Sequence, residues 1–140
     1  MPATFESFGI KFLYPDNWVA TERSEDEDET GVTLDLPSGG FFTIELEGEG
    51  FSESEVIERV RAAIVEEFGE VEVEEVVLDR AVQGERTVEM RFYYLDLLIV
   101  SRLVLLPFNG ETLIVQMQAE NRDFDRDEPV FDAILKQLRL

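Results

Sequence analysis

Short runs of alternating apolar and polar residues open the chain. In "GIKFLYP", Ile10, Phe12 and Tyr14 stand against Lys11 and Leu13, and "WVATE" resumes after Pro15. "VTLDL" sets Val32, Leu34 and Leu36 apart from Thr33 and Asp35, and "PSGG" breaks the chain before "FFTIELE". A period of two bounded by turn-formers marks half-buried strands, so a meander of four short strands is predicted.

The period then lengthens. In "FSESEVIERVRAAIVEEFGE", Val56, Ile57, Val60, Ala63, Ile64 and Phe68 recur at helical spacing, while Glu55, Glu58, Arg59, Arg61, Glu66 and Glu67 stay largely outside that stripe. Ser52 followed three residues later by Glu55 reads as a capping box, and Gly69 as the stop. Strand signals return with "VEVEEVVLD" and with "ERTVEMRFYY", where Val88, Met90, Phe92 and Tyr94 share one side. "LIVSRLVLLPF" and "ETLIVQMQAE" flank Asn109-Gly110, a hairpin turn whose two central positions require positive φ. Beyond it Leu113, Val115, Met117 and Ala119 face one way. Asp96 is the sole turn-former between Tyr94 and Leu98. In "DEPVFDAILKQLRL", Asp127 or Glu128 starts a last helix, Pro129 suits its first turn, and Val130, Phe131, Ile134, Leu135 and Leu138 form its apolar stripe.

The element order read from these runs is three or four strands, a helix, three strands and a terminal helix. Hairpin-like links imply an α+β domain over residues 1–140, a mostly antiparallel sheet with helices packed on its faces as an α/β/α sandwich. At 140 residues, one core is expected.

Charge narrows the partners. Against 32 acidic residues stand 12 basic ones, a formal net charge of -20 that repels phosphate backbones and anionic headgroups. Nucleic acid and membrane are therefore poor partners. Lys11 and Lys136 are the two lysines; such an acidic, lysine-poor surface suits a high-salt cytoplasm. With 44% apolar residues and eleven phenylalanines, the charge does not signal disorder. The start "MPATFESFGIKF" lacks a basic segment followed by an apolar one, and the run Phe92 to Phe108 is interrupted by Asp96 and Arg102, so a cytoplasmic chain without a spanning segment is expected.

The words "FGIKFLYPDNW" near the start and "FDAILKQLRL" at the end, with this element order, resemble the Mog1/PsbP-like superfamily. The resemblance implies an α/β/α sandwich in which an early strand ends at a Tyr-Pro turn followed by a nearby Trp, and the last helix packs on an antiparallel sheet. Members of that superfamily bind a small GTPase in nuclear transport, dock on photosystem II, or serve as secretion chaperones and envelope factors. They share a scaffold that binds proteins rather than a set of catalytic residues. Histidine metal sites of the photosynthetic branch have no counterpart in a chain with no histidine.

Chemistry-bearing residues are few. There is no His and no Cys, neither Lys sits in a recognisable motif, and Ser7, Ser24, Ser38, Ser52, Ser54 and Ser101 lie in no nucleophile elbow. No catalytic residue and no cofactor are assigned. "DFDRDE" places Asp123, Asp125 and Asp127 like the start of a calcium loop, but Glu128 stands where glycine is needed and Ile134 where a bidentate Glu belongs, so a loop leading into a helix is expected. The acidic run Glu25 to Glu29 reads as a solvated loop. Pro15, Asp16 and Asn17 form a turn that swings Trp18 over the sheet. Phe41, Phe42 and Phe108 lie beside turns and, if gathered with Tyr93, would make an apolar partner surface, although burial within strands accounts for them equally well. Protein docking is the expected function, with a small-molecule or divalent-cation pocket between sheet and helix as the alternative; the partner and the oligomeric state are left open.

Overall fold

The computed structural model describes residues 1–23, 30–48 and 50–139, and among them stand nine strands and two helices. The acidic run Glu25 to Glu29 lies outside the described residues. Five strands come first: β1 (Ala3–Ser7), β2 (Ile10–Tyr14), β3 (Val19–Glu22), β4 (Thr30–Asp35) and β5 (Phe41–Glu47). Helix α1 (Glu53–Phe68) separates them from β6 (Glu72–Val76), β7 (Arg86–Tyr94), β8 (Leu97–Phe108) and β9 (Glu111–Glu120), and helix α2 (Asn121–Leu138) follows. Five strands before α1 and four after it exceed the expected count by β1 and by one strand of the second group. Phe5 is the one buried side chain of β1, too little alternation to register without its partner β2.

Strands β1 and β2 form a hairpin of their own, while the other seven make one sheet in the order β3-β4-β5-β9-β8-β7-β6. Every neighbouring pair is antiparallel. Pairing of β5 with β9 joins the strands before α1 to those after it. The period of two sorts the two faces. Val32, Leu34, Phe42, Ile44, Val104, Leu113, Val115 and Met117 pack with Phe124, Phe131, Ile134, Leu135 and Leu138 of α2. On the other face Leu103, Leu105 and Ile114 meet Val56 of α1, and Val88, Met90 and Phe92 meet its Ile64. One helix on each face completes the α/β/α sandwich. The β1–β2 hairpin leans on α2, where the Gln137 amide accepts from the Leu13 N–H at 2.8 Å and donates to its carbonyl at 3.2 Å.

Trp18 closes the Pro15 turn with its N–H on the Pro15 carbonyl at 3.1 Å. Its ring is buried, 5.9 Å from that of Phe131, which also meets Phe42 at 5.9 Å and Phe124 at 5.3 Å. Burial of each such ring contributes about 1.5–3 kcal/mol. Trp18 is thus part of the core. Gly40, next to the β4–β5 turn, is required by space: a Cβ there would sit 2.5 Å from the Gln118 carbonyl oxygen of β9.

The helix ends differ in how well the chain announces them. Ser52 Oγ accepts from the Glu55 N–H at 3.3 Å, and Gly69 ends α1 at φ 95°, both as the pattern predicts. Helix α2, in contrast, begins six or seven residues before the expected Asp127 or Glu128. Its cap is Glu120, whose carboxylate accepts from the N–H groups of Arg122 and Asp123 at 3.0 and 3.3 Å. Pro129 therefore lies inside the helix, where it leaves the carbonyl of Asp125 without its usual donor. Asp125 itself is exposed.

Candidate functional site

The four aromatics offered by the sequence as a partner surface are not brought together. Phe42 points at α2 and is completely buried against Met117, and Phe108 is buried in the same cluster. Phe41, half-buried, faces the opposite side of the sheet. Tyr93 is 66% exposed on β7, three strand positions and so about 14 Å from β5. The alternation of the pleat turns Phe41 and Phe42 apart, and the β5-β9-β8-β7 order separates both from Tyr93. Asp123, Asp125 and Asp127 stand on α2 instead of in a loop, with Asp123 and Asp127 3.2 and 3.6 Å from the Arg126 guanidinium. A helical rise separates their oxygens, and among the described residues no acidic group is arranged to hold a metal ion.

What surrounds Tyr93 is a surface the sequence pattern only partly signalled. Strands β7 and β8 form a long hairpin closed by the two-residue turn Leu95-Asp96, with Tyr94 paired to Leu97. Both turn residues have positive φ, 49° and 66°, the arrangement usually given to Asn-Gly. A leucine there strains the backbone and turns its side chain outward. Leu95 is 77% exposed, and Tyr94 and Leu97 are exposed beside it. The end of α1 underpins this tip: Phe68 stacks on Phe92 with centroids 4.7 Å apart and meets Tyr94 edge-on at 5.6 Å. A cleft of about 620 Å³ opens alongside, with Val65, Val71, Phe92, Tyr93 and Leu98 in its walls and Glu70, Glu72, Arg61 and Arg91 also lining it. The corner thus gathers exposed Tyr93, Tyr94, Leu95 and Leu97 beside the cleft.

Farther down the same hairpin the character reverses. The turn at Leu95-Asp96 sets Glu89 opposite Arg102, on the face that α2 covers. Arg102 donates through Nε to Glu89 Oε2 at 2.8 Å and through Nη2 to Glu128 Oε2 of α2 at 2.6 Å. Its guanidinium lies 5.0 Å from the centroid of the Phe124 ring. Arg91 holds the other oxygen of Glu89 at 2.6 Å. Burial disfavours the Arg102 charge, but hydrogen bonds to Glu128 and Glu89 outweigh it and keep the guanidinium protonated. Arg102 Nη1 is buried without a hydrogen-bond partner, and Asp132 approaches it at 3.9 Å. Burial, then the neighbouring Glu128, push the Asp132 carboxyl above its ordinary range, against the pull of Arg102 and Arg139. A second cleft, of about 490 Å³, lies above this network between α2 and residues 77–80. Arg139 closes one side of it with a bidentate pair to Glu85, both bonds at 2.8 Å. The charged residue inside "LIVSRLVLLPF" was the one sequence sign of this network.

The architecture defined by these elements is that of a Mog1/PsbP-like fold. The structure of the cyanobacterial PsbP protein CyanoP from Synechocystis sp. PCC 6803 is similar with a TM-score of 0.62 at 14% identity, over 97% of this chain and 90% of that one. A protein of unknown function, PA94 from Pseudomonas aeruginosa, is similar with a TM-score of 0.57 at 13% identity, over 99% and 96%. No family model and no curated protein matches the sequence. Likeness at this identity establishes the fold alone, and neither neighbour is described as an enzyme. Among the described residues no helix is long and apolar enough to cross a membrane.

Proposed function

We propose that the chain is a protein-docking module without catalytic activity, and that it engages its partner through the β7–β8 tip and the cleft beside it. The carrying observation is Leu95, three-quarters exposed on a left-handed turn between exposed Tyr93, Tyr94 and Leu97. Strain and exposed apolar surface together are costs that a stable fold does not need, and contact with another protein is the usual use of both. The partner presents an apolar anchor flanked by basic groups, because a net charge of -20 steers cations to this surface and turns anions away.

Capture from lysate with wild type, Tyr93→Ser and Leu95→Asp tests the reading. A stoichiometric partner held by wild type and released by either variant, with faster association at low salt, supports docking at the tip. A partner held equally by all three proteins sinks it. A second reading is a small ligand in the cleft under α2, favoured by the unpartnered Arg102 Nη1. A screen of small carboxylates and phosphates in which one raises Tm by more than about 2 °C at millimolar concentration would promote that reading.

A further inference from the structure

Strand β6 ends the sheet, with β7 on one side and, among the described residues, no strand on the other. The direction of its free hydrogen-bonding groups follows from the hairpin. A two-residue turn closes on Tyr94↔Leu97, and pairs along an antiparallel ladder alternate between those that exchange both bonds and those that exchange none. Carried down β7, the alternation aims Thr87, Glu89 and Arg91 at β6, through Val76, Glu74 and Glu72. The N–H and C=O groups of Val73 and Glu75 are left facing outward, a template for another strand.

Charge decides which strand fits. Glu70, Glu72, Glu74 and Glu75 lie on or beside this edge, while the nearby arginines are committed: Arg86 to Glu75 at 2.6 Å, Arg91 to Glu74 and Glu89, Arg61 to Glu58. Glu70 and Glu72 have no salt-bridge partner among the described residues. A second copy of β6 would set glutamate against glutamate, which disfavours self-pairing. Val73 offers an exposed apolar side chain on the α1 face, next to the cleft with Val65 and Val71 in its walls.

We infer that the partner joins the fold as an eighth strand: an extended segment alternating apolar residues with Lys or Arg pairs with the outer edge of β6, an apolar side chain entering the cleft between Val65 and Val71. This deepens the docking reading and rests on it. Main-chain bonds to Val73 and Glu75 supply affinity, and the glutamates select the basic sequence.

The test is selection of linear nine-residue peptides from a phage-displayed library on the full chain, followed by binding of the synthetic peptides to wild type, Val73→Pro and Leu95→Asp. Proline is tolerated where an edge N–H faces away from its neighbour, so Val73→Pro keeps its ladder to β7, which circular dichroism checks. Enriched peptides that alternate apolar with basic residues and lose about tenfold or more in affinity for Val73→Pro are expected. Alternate backbone N-methylation of those peptides examines the same bonds against the wild-type chain and should cost as much. No enrichment over carrier phage overturns the inference, as does binding indifferent to both Val73→Pro and N-methylation. Peptides lost on Leu95→Asp but indifferent to Val73→Pro overturn strand addition and leave docking at the tip standing. Peptides lost on Val73→Pro but indifferent to Leu95→Asp sustain the eighth strand and remove the tip from the docking reading.

Discussion

The middle and the tip of the β7–β8 hairpin both invert the ordinary distribution of side chains. At mid-length, on the α2 face, Glu89 and Arg102 are charged and buried; at the tip, Tyr93, Tyr94, Leu95 and Leu97 are apolar and exposed. Each inversion is supported differently. The buried ions are held by several hydrogen bonds across three elements, β7, β8 and α2, which is what lets charge exist away from water. The exposed apolar groups stand on a strained turn braced from below by Phe68. A buried network of this kind fixes which residues face which, since one step of strand slippage would leave a carboxylate unpaired. An exposed tip contributes nothing comparable to the isolated chain, and under the docking reading its use lies in contact with a partner.

Removing one partner of the buried network has the largest expected effect. Arg102→Met leaves Glu89 and Glu128 facing each other without their shared cation and should cost about 3–5 kcal/mol of unfolding free energy in urea. Converting Arg102 and Glu89 together to Met should recover part of that loss, because the buried Glu89 carboxylate goes with its partner and the remaining Glu128, 38% exposed, can turn to water. A double variant as unstable as the single one would show that the guanidinium acts mainly by packing on Phe124.

At the tip the sign reverses. Replacing Leu95 by Asn and Asp96 by Gly supplies residues suited to positive φ and removes exposed leucine, so the protein should gain about 1–2 kcal/mol. Under the docking reading the same change weakens partner capture. A stabilised protein that still captures its partner would detach the tip from function, and a destabilised one would show that Leu95 packs for stability.

Most of the fold was legible wherever periodicity met a buried face. Ile10 and Phe12, and Val32 and Leu34, alternate because one side of each strand is more deeply covered, Leu113 through Ala119 keep the same period although α1 also covers Ile114 on the other face, and Asn109-Gly110 declares its turn by chemistry. The start of α2 was obscured because Pro129 resembles a first-turn residue, although Phe124, seven positions before Phe131, extends the apolar stripe back through "NRDFDRDE". Phe42 and Phe108 left two readings open, partner surface or buried strand, because proximity to a turn says nothing about which way the pleat points, and the structure buries both. The Glu89–Arg102 pair needed a turn at Leu95-Asp96, which no turn-forming pair announces; the exposed corner needed the same turn and the end of α1. Both depend on tertiary register, which a local pattern does not contain.

The smallest effect expected concerns Asp132, on the rim of the buried network. Burial and Glu128 raise its carboxyl pKa, opposed by Arg102 and Arg139, with Asp79 adding to the rise. A pKa higher in the folded chain than in the unfolded one means the native state binds the proton more tightly. The ionised group therefore opposes folding at neutral pH, and the penalty fades as pH falls through the raised folded value and is gone below the unfolded carboxylate value of about 3.9. Asp132→Asn should thus stabilise the protein at pH 7 by less than about 0.5 kcal/mol, since its side chain is 59% exposed and screened by water. Thermal melts of both proteins between pH 3 and pH 7 should converge at the acid end. A variant less stable than wild type at pH 7 would mean that Asp132 pairs with the free Nη1 of Arg102 more strongly than their 3.9 Å separation suggests, and that the buried network extends to the surface of α2.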